Sequence, residues 1–199
     1  MTAQIDIIAI STASDEKRFL SFPYDLYRDA PNWRAPLRFE RQEQIDPEKN
    51  PGAPTNRQLF LAVANDQVVG RIAAFTLEKH DAQYGDNTGF FGYFDCIDDG
   101  NVARALLSSA EAWLKTAGRR RMVGPSQWSV NEECGLLIEG FDTAPVMMMP
   151  FGRPDYRQYC ESFGLTKAVD MFAYQAELAA GYPRSKFLQS LLSYAQRNK

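Results

Sequence analysis

Leu59-Phe60-Leu61-Ala62-Val63-Ala64, then Asn65-Asp66, then Val68-Val69-Gly70-Arg71-Ile72-Ala73-Ala74-Phe75, is the stretch whose reading decides the fold. Two apolar runs separated by residues that tolerate a tight turn make a β-hairpin. Both runs are apolar on alternate and often on successive positions, as expected of strands covered on both faces. A polar loop leads to Gly89-Phe90-Phe91-Gly92-Tyr93-Phe94-Asp95-Cys96-Ile97, another strand. Asp98, Asp99 and Asn101 then offer side chains that cap a helix. In that helix Val102, Ala103, Leu106, Leu107, Ala110, Trp113, Leu114 and Ala117 recur at i, i+3, i+4 spacing. Arg104, Glu111 and Lys115 lie elsewhere, and Gly118 stops it. Leu59 to Gly118 is thus a hairpin, a further strand and an amphipathic helix.

Upstream, Gln4 to Ile10 reads as a first strand and Ser14 begins a helix with Phe19, Leu20, Tyr24 and Tyr27 on its apolar face. Pro23 is expected to kink or divide that helix. Ala30 to Asn56 holds Pro31, Pro36, Pro47, Pro51 and Pro54 and reads as a long, mostly irregular arm, facing a partner or serving function. Downstream, Arg119 to Val123 starts a strand, and Gly124 to Phe151 is an insert without one clear period. A helix with Tyr156, Tyr159, Cys160 and Phe163 on one face ends at Gly164, and Ala168 to Glu177 reads as a final strand. The expected domain runs over 1–177, with 178–199 a linker and short amphipathic helix. A hairpin-rich half passing into βαβ-like units gives a mixed sheet, α/β or α+β.

The 199 residues suffice for one sizeable core, and a net charge of −3 supplies no basic field to recruit nucleic acid. No apolar run approaches the roughly 20 residues of a membrane span. Met1 to Ile10 carries Asp6 and lacks a basic start, unlike a signal peptide. Cys96, Cys134 and Cys160 are widely spaced, which suits free thiols, and a cytoplasmic location is expected. His80 is the single histidine, in a charged stretch that reads as a loop, so a zinc site or a histidine-based nucleophile pair is disfavoured and no metal is expected. No phosphate-binding GxxxxGK[ST] or dinucleotide GxGxxG motif occurs.

The order of elements resembles the GNAT fold of N-acyltransferases, a central, mixed, mostly antiparallel sheet flanked by helices. Three stretches resemble a bacterial subfamily, the YghO-like group. They are Leu26-Tyr27-Arg28-Asp29-Ala30-Pro31-Asn32-Trp33, Gly89-Phe90-Phe91-Gly92-Tyr93-Phe94, and Gly124-Pro125-Ser126 with Asn131-Glu132-Glu133-Cys134-Gly135-Leu136-Leu137 and Gly140-Phe141. With the helical core the resemblance covers residues 5–177. Members of that group look longer, so the tail from Leu178 is expected to open a second half.

The resemblance implies transfer of an acyl group from acyl-CoA to a small-molecule or lipid-like amine, with a homodimer among the expected assemblies. It places the CoA pyrophosphate on backbone N–H groups at the start of the long helix, where the dipole favours an anion. The matching positions are Ile97, Gly100, Asn101 and Val102. They depart from the family pattern Arg/Gln-x-x-Gly-x-Gly/Ala, since Ile97 and Val102 replace the first and last residues. Asp98 and Asp99 would repel a phosphate there, and a capping role accounts for them. A GNAT-fold module without catalysis, serving binding or assembly, is therefore the alternative to an enzyme.

For the chemistry, the resemblance implies a carboxylate base on a central strand and a tyrosine acid on the last helix. Asp95 has the position of the base, though a strand-end aspartate is ordinarily solvated. The acid tyrosine's place falls on Cys160, leaving Tyr156 and Tyr159 as the nearest phenols, with core packing as their plainer role. In the insert, Ser126, Trp128, Ser129 and Asn131 are expected to face substrate, and Glu132 to assist proton transfer. Turn-forming residues have the same composition. Met147-Met148-Met149 reads as buried strand or core, or else as a wall for a long acyl chain. Arg119-Arg120-Arg121 reads as a solvated strand start, with a CoA phosphate as the other use.

Overall fold

The hairpin forms because Asn65 and Asp66 both adopt left-handed φ (49° and 61°), which matches the twist of the flanking strands. The computed structural model describes residues 4–174 and 197. In chain order these form β1 (Asp6–Ala9), α1 (Ala13–Leu26), α2 (Arg38–Ile45), β2 (Arg57–Ala64), β3 (Gln67–Phe75), α3 (Glu78–Tyr84), β4 (Thr88–Cys96), α4 (Gly100–Thr116), β5 (Arg121–Val123) and α5 (Tyr156–Phe163). The strands lie in the order β1-β2-β3-β4-β5, antiparallel except for the parallel β4–β5 pair. The mixed, mostly antiparallel sheet expected from the sequence is therefore present. By contacts the chain divides into two units, Met1–Lys167 and Ala168–Lys199.

Alternation along the strands sends side chains to two cores. Phe60, Ala62, Ile72, Ala74, Phe91, Phe94 and Cys96 pack against α4 and α5. Leu59, Leu61, Val63, Ala73, Phe75 and Tyr93 pack on the other face with Phe19 of α1, Ile45 of α2 and Trp128. The α4 residues Val102, Ala103, Leu106, Leu107, Ala110 and Leu114 are buried, the stripe its periodicity predicts. Each large one contributes about 1.5–3 kcal/mol by leaving water.

Several expectations need correction. Pro23 does not divide α1: it lies inside one helix, near its end, and Tyr27 N–H donates to the Pro23 carbonyl. The arm is mostly irregular as expected, but α2 forms at its centre, and the Arg41 and Gln44 side chains bond to the insert. His80 sits in α3, where its ring nitrogen bonds Asp86. Met147, Met148 and Met149 are exposed, Met147 at 89 %, because the segment folds as a surface turn and offers no strand pairing. Of the run expected as a solvated strand start, Arg120 and Arg121 are exposed and Arg121 opens β5, whereas Arg119 forks onto both oxygens of Asp81 and is largely covered. Residues 168–174 form no strand, and 175–177 lie outside the described residues, as does the expected helix within 178–199.

Two irregularities shape the outer edge of the sheet. Opposite Arg71 to Ala73, β4 spends one extra residue, and Tyr93 takes φ +50° in that bulge. Second, β5 pairs with β4 only from Thr88 to Phe90, after which the chain leaves the sheet. It stays close as far as Gly92, whose added Cβ would lie 1.7 Å from the Ser126 carbonyl oxygen. Beyond that point the outer edge of β4, Tyr93 to Cys96, has no strand beside it among the described residues.

Candidate active site

The gap beside the end of β4 brings Asp95 and Tyr156 together. Asp95 is 7 % exposed, contrary to the solvated role ordinary for a strand-end aspartate. Arg71, its directly paired residue on β3, donates from Nε at 2.8 Å and approaches Oδ2 at 2.6 Å through a terminal nitrogen. Tyr27, the C-cap residue of α1, donates its hydroxyl to Oδ1 at 2.6 Å. The Tyr27 oxygen lies 2.9 Å from the Tyr156 hydroxyl, which accepts Cys96 N–H at 2.8 Å and lies 3.0 Å from the Cys96 carbonyl. A cavity of about 50 Å³ opens on this cluster, lined among others by Tyr93, Asp95, Ser126, Glu133, Phe151 and Tyr156.

Burial first, then the charge of Asp95, holds both phenols well above the ordinary tyrosine range. Each therefore keeps its proton at neutral pH and can serve as a donor. Arg71 satisfies the remaining demand of a buried cation by donating to the Phe19 carbonyl at 3.0 Å. Phe151, which also lines the cavity, packs edge-on to Tyr27 at 5.0 Å.

The other insert residues divide. Ser126 is buried and bridges Cys134, donating its N–H to the Phe91 carbonyl. Trp128, expected to face substrate, is fully buried between Phe75 and Tyr93, and its Nε1–H donates to the Gln44 carbonyl. Ser129 accepts the Asn131 N–H in a turn, and neither residue lines the cavity. Glu132 is half-buried and accepts from Gln44, while Arg41 pairs with Glu133. Burial raises the Glu132 pKa, against the lowering effects of the Gln44 bond and Arg41. That network ties the arm to the insert.

At the start of α4 a second cavity, of about 310 Å³, is lined by Gly100, Asn101, Arg104, Tyr159, Ser162 and Phe163. Asp99 caps the helix by accepting Asn101 N–H at 2.8 Å, and Tyr159 donates to Asp98 at 2.6 Å. Burial and that bond raise the Tyr159 pKa. Ile97 donates its N–H to Val69, and the Val102 side chain is buried in the core. Only Gly100 and Asn101 of the four phosphate-site positions reach the cavity. Arg104 could meet a phosphate, whereas the Asp99 carboxylate already holds one of the orphan N–H groups.

Tyr27, Arg71 and Arg153 were missed by sequence reasoning. Arg71 carried a signal, as a charge in the middle of an apolar strand. Arg153 pairs with Asp98 at 3.1 Å.

No protein-family model matches the chain. Among solved structures, AAC(6′)-Iy in complex with a CoA bisubstrate analogue superposes at TM-score 0.52 with 13 % identity, over 88 % of this chain and 99 % of that one. A tandem GNAT protein from the clavulanic acid biosynthesis pathway gives TM-score 0.51 and 14 % identity, over 81 % of this chain and 43 % of that one. In sequence the chain is 46 % identical to protein YghO of Escherichia coli (strain K12) over 162 residues, 81 % of this chain and 41 % of that protein. The chain has the GNAT fold and is similar in sequence to YghO over that span. It is also 38 % identical over 184 residues to a bacterial ceramide synthase of Caulobacter vibrioides, 91 % of this chain and 48 % of that protein. This GNAT-fold chain thus spans less than half the length of either curated relative. Among its described residues no helix is long and apolar enough to cross a membrane, and no cluster of three or more His, Cys, Asp or Glu side chains could hold a metal ion.

Proposed function

We propose that this GNAT fold serves an N-acyltransferase that moves an acyl group from acyl-CoA to a lipid-like amine. The observation that carries the reading is the buried Asp95–Tyr27–Tyr156 cluster opening on the cavity beside β4. Asp95 is the base that takes a proton from the attacking amine, and Tyr156 is the acid that meets the departing thiolate. Arg71 holds Asp95 in place. Glu132 is too far into its own network with Gln44 to be the first choice of base. A ceramide is an amide of a long-chain amino alcohol, so similarity to a ceramide synthase supports an acceptor of that class. The apolar walls of the cavity, Leu136, Leu137, Pro150 and Phe151, are compatible with it.

One pair of observations favours a second reading, a GNAT-fold module that binds without catalysing. The Tyr156 hydroxyl occupies the free edge of β4 at Cys96, and the Asp99 carboxylate occupies the start of α4. Calorimetric titration with acetyl-CoA and palmitoyl-CoA, followed by a transfer assay with sphinganine, separates the two. The enzyme reading expects palmitoyl-CoA to bind and N-palmitoyl product to form. A folded sample that binds neither thioester defeats it, and binding without transfer selects the module.

A further inference from the structure

Tyr27 stands behind the cavity and touches both candidate groups at once. Its oxygen is 2.6 Å from Asp95 Oδ1 and 2.9 Å from the Tyr156 oxygen, and it is only 5 % exposed. Resting on the acyl-transfer reading of this site, we propose that Tyr27 is the middle member of a proton relay from Asp95 to Tyr156.

The hydrogen-bond partners argue for a relay over a static brace. Asp95 Oδ2 is held by Arg71, and a guanidinium can only donate. Among the side-chain partners of Asp95 within the described residues, Tyr27 is therefore the one that can pass on a proton arriving there. Tyr156 is oriented by Cys96 N–H, which fixes its oxygen as an acceptor and leaves its own proton free for Tyr27, the Cys96 carbonyl or a ligand. Asp95 and Tyr156 both line the cavity, whereas Tyr27 does not. Trp33, at 5.7 Å, and Phe151 cover its ring. The two ends of the chain thus face the reacting groups and the middle is closed off.

The balance is complete without another reactant. As the C–N bond forms, the amine proton passes to the Asp95 carboxylate. As the C–S bond breaks, Tyr156 gives its proton to the thiolate sulfur. Tyr27 turns its proton to the Tyr156 oxygen and receives the one held by Asp95. All three side chains end as they began, and one proton has moved from nitrogen to sulfur.

Tyr27→Phe removes the hydroxyl and keeps the ring against Trp33 and Phe151. Transfer from palmitoyl-CoA to sphinganine is measured for wild type, Tyr27→Phe and the control Tyr24→Phe, which loses an α1 hydroxyl bonded to Pro36 outside the cavity. Tyr27→Phe should lose about 100-fold in kcat with KM for palmitoyl-CoA unchanged. The wild-type rate in H2O/D2O mixtures should give a curved proton inventory that becomes linear in Tyr27→Phe, while Tyr24→Phe matches wild type. A kcat for Tyr27→Phe within about twofold of wild type overturns the relay and leaves acyl transfer standing. A linear wild-type inventory overturns it even if the variant does not fold. Absence of both binding and transfer in folded wild type removes the acyl-transfer reading itself, and the relay with it.

Discussion

Arg71 and Asp95 sit directly opposite each other on neighbouring strands, at a paired register position beside the β4 bulge, and form a buried ion pair at 2.6 Å. Their side chains are 8 % and 10 % exposed, so neither charge has water as a substitute partner. Arg71→Met should destabilise the fold by about 3 kcal/mol, because it leaves the Asp95 carboxylate buried beside a phenol with its cation gone. Arg71→Met combined with Asp95→Leu should recover part of that loss. Urea unfolding of the two singles and the double measures the coupling. Additive losses would show that the pair is not a unit.

Gly92 is the point where β4 meets the departing chain. A Cβ there would overlap the Ser126 carbonyl oxygen and carbon, at 1.7 and 2.6 Å, and backbone cannot yield as a flexible side chain does. Gly92→Ala should cost about 3 kcal/mol or more and displace the insert from the sheet. Gly52→Ala meets only the Asn50 side chain and should cost far less. Thermal melts of the two variants make the comparison.

Glu132 gives a pH dependence of a definite sign. Its carboxyl pKa is raised from 4.5 in the folded chain, burial being the largest cause. Between the unfolded and the raised folded value, the folded state binds more protons, so stability falls as pH rises through that window. Glu132→Gln keeps an acceptor for Gln44 and removes the ionisation. Its unfolding midpoint should decline less than that of wild type as pH rises above 4.5. Equal slopes for the two proteins would rule out Glu132 as the source.

Asp99→Asn tests the phosphate site without losing the helix cap, since asparagine and aspartate are equivalent N-caps. Stability should change by less than about 0.5 kcal/mol. Affinity for palmitoyl-CoA should rise about fivefold, because a carboxylate near a phosphate costs roughly 1 kcal/mol even in water. An unchanged dissociation constant would place the phosphates away from the start of α4.

The hairpin and α4 were legible from residue order because their determinants are local. Asn65 and Asp66 accept the φ values a tight turn needs, and one stripe of α4 repeats every three or four residues from Val102 to Leu114. The candidate cluster was legible only in part. Asp95 and Tyr156 could be nominated from their positions on a strand and a helix, but their meeting depends on Tyr27, 68 residues from one and 129 from the other. No periodicity encodes that distance. The same holds for Trp128, which composition placed in a polar loop and packing placed in the core, and for Met147, exposed where an apolar run suggested burial. Local propensity sets which face of an element is apolar. Only the tertiary structure, through the extra residue in β4 and the departure of the chain after β5, decided which groups share the gap and leave water together.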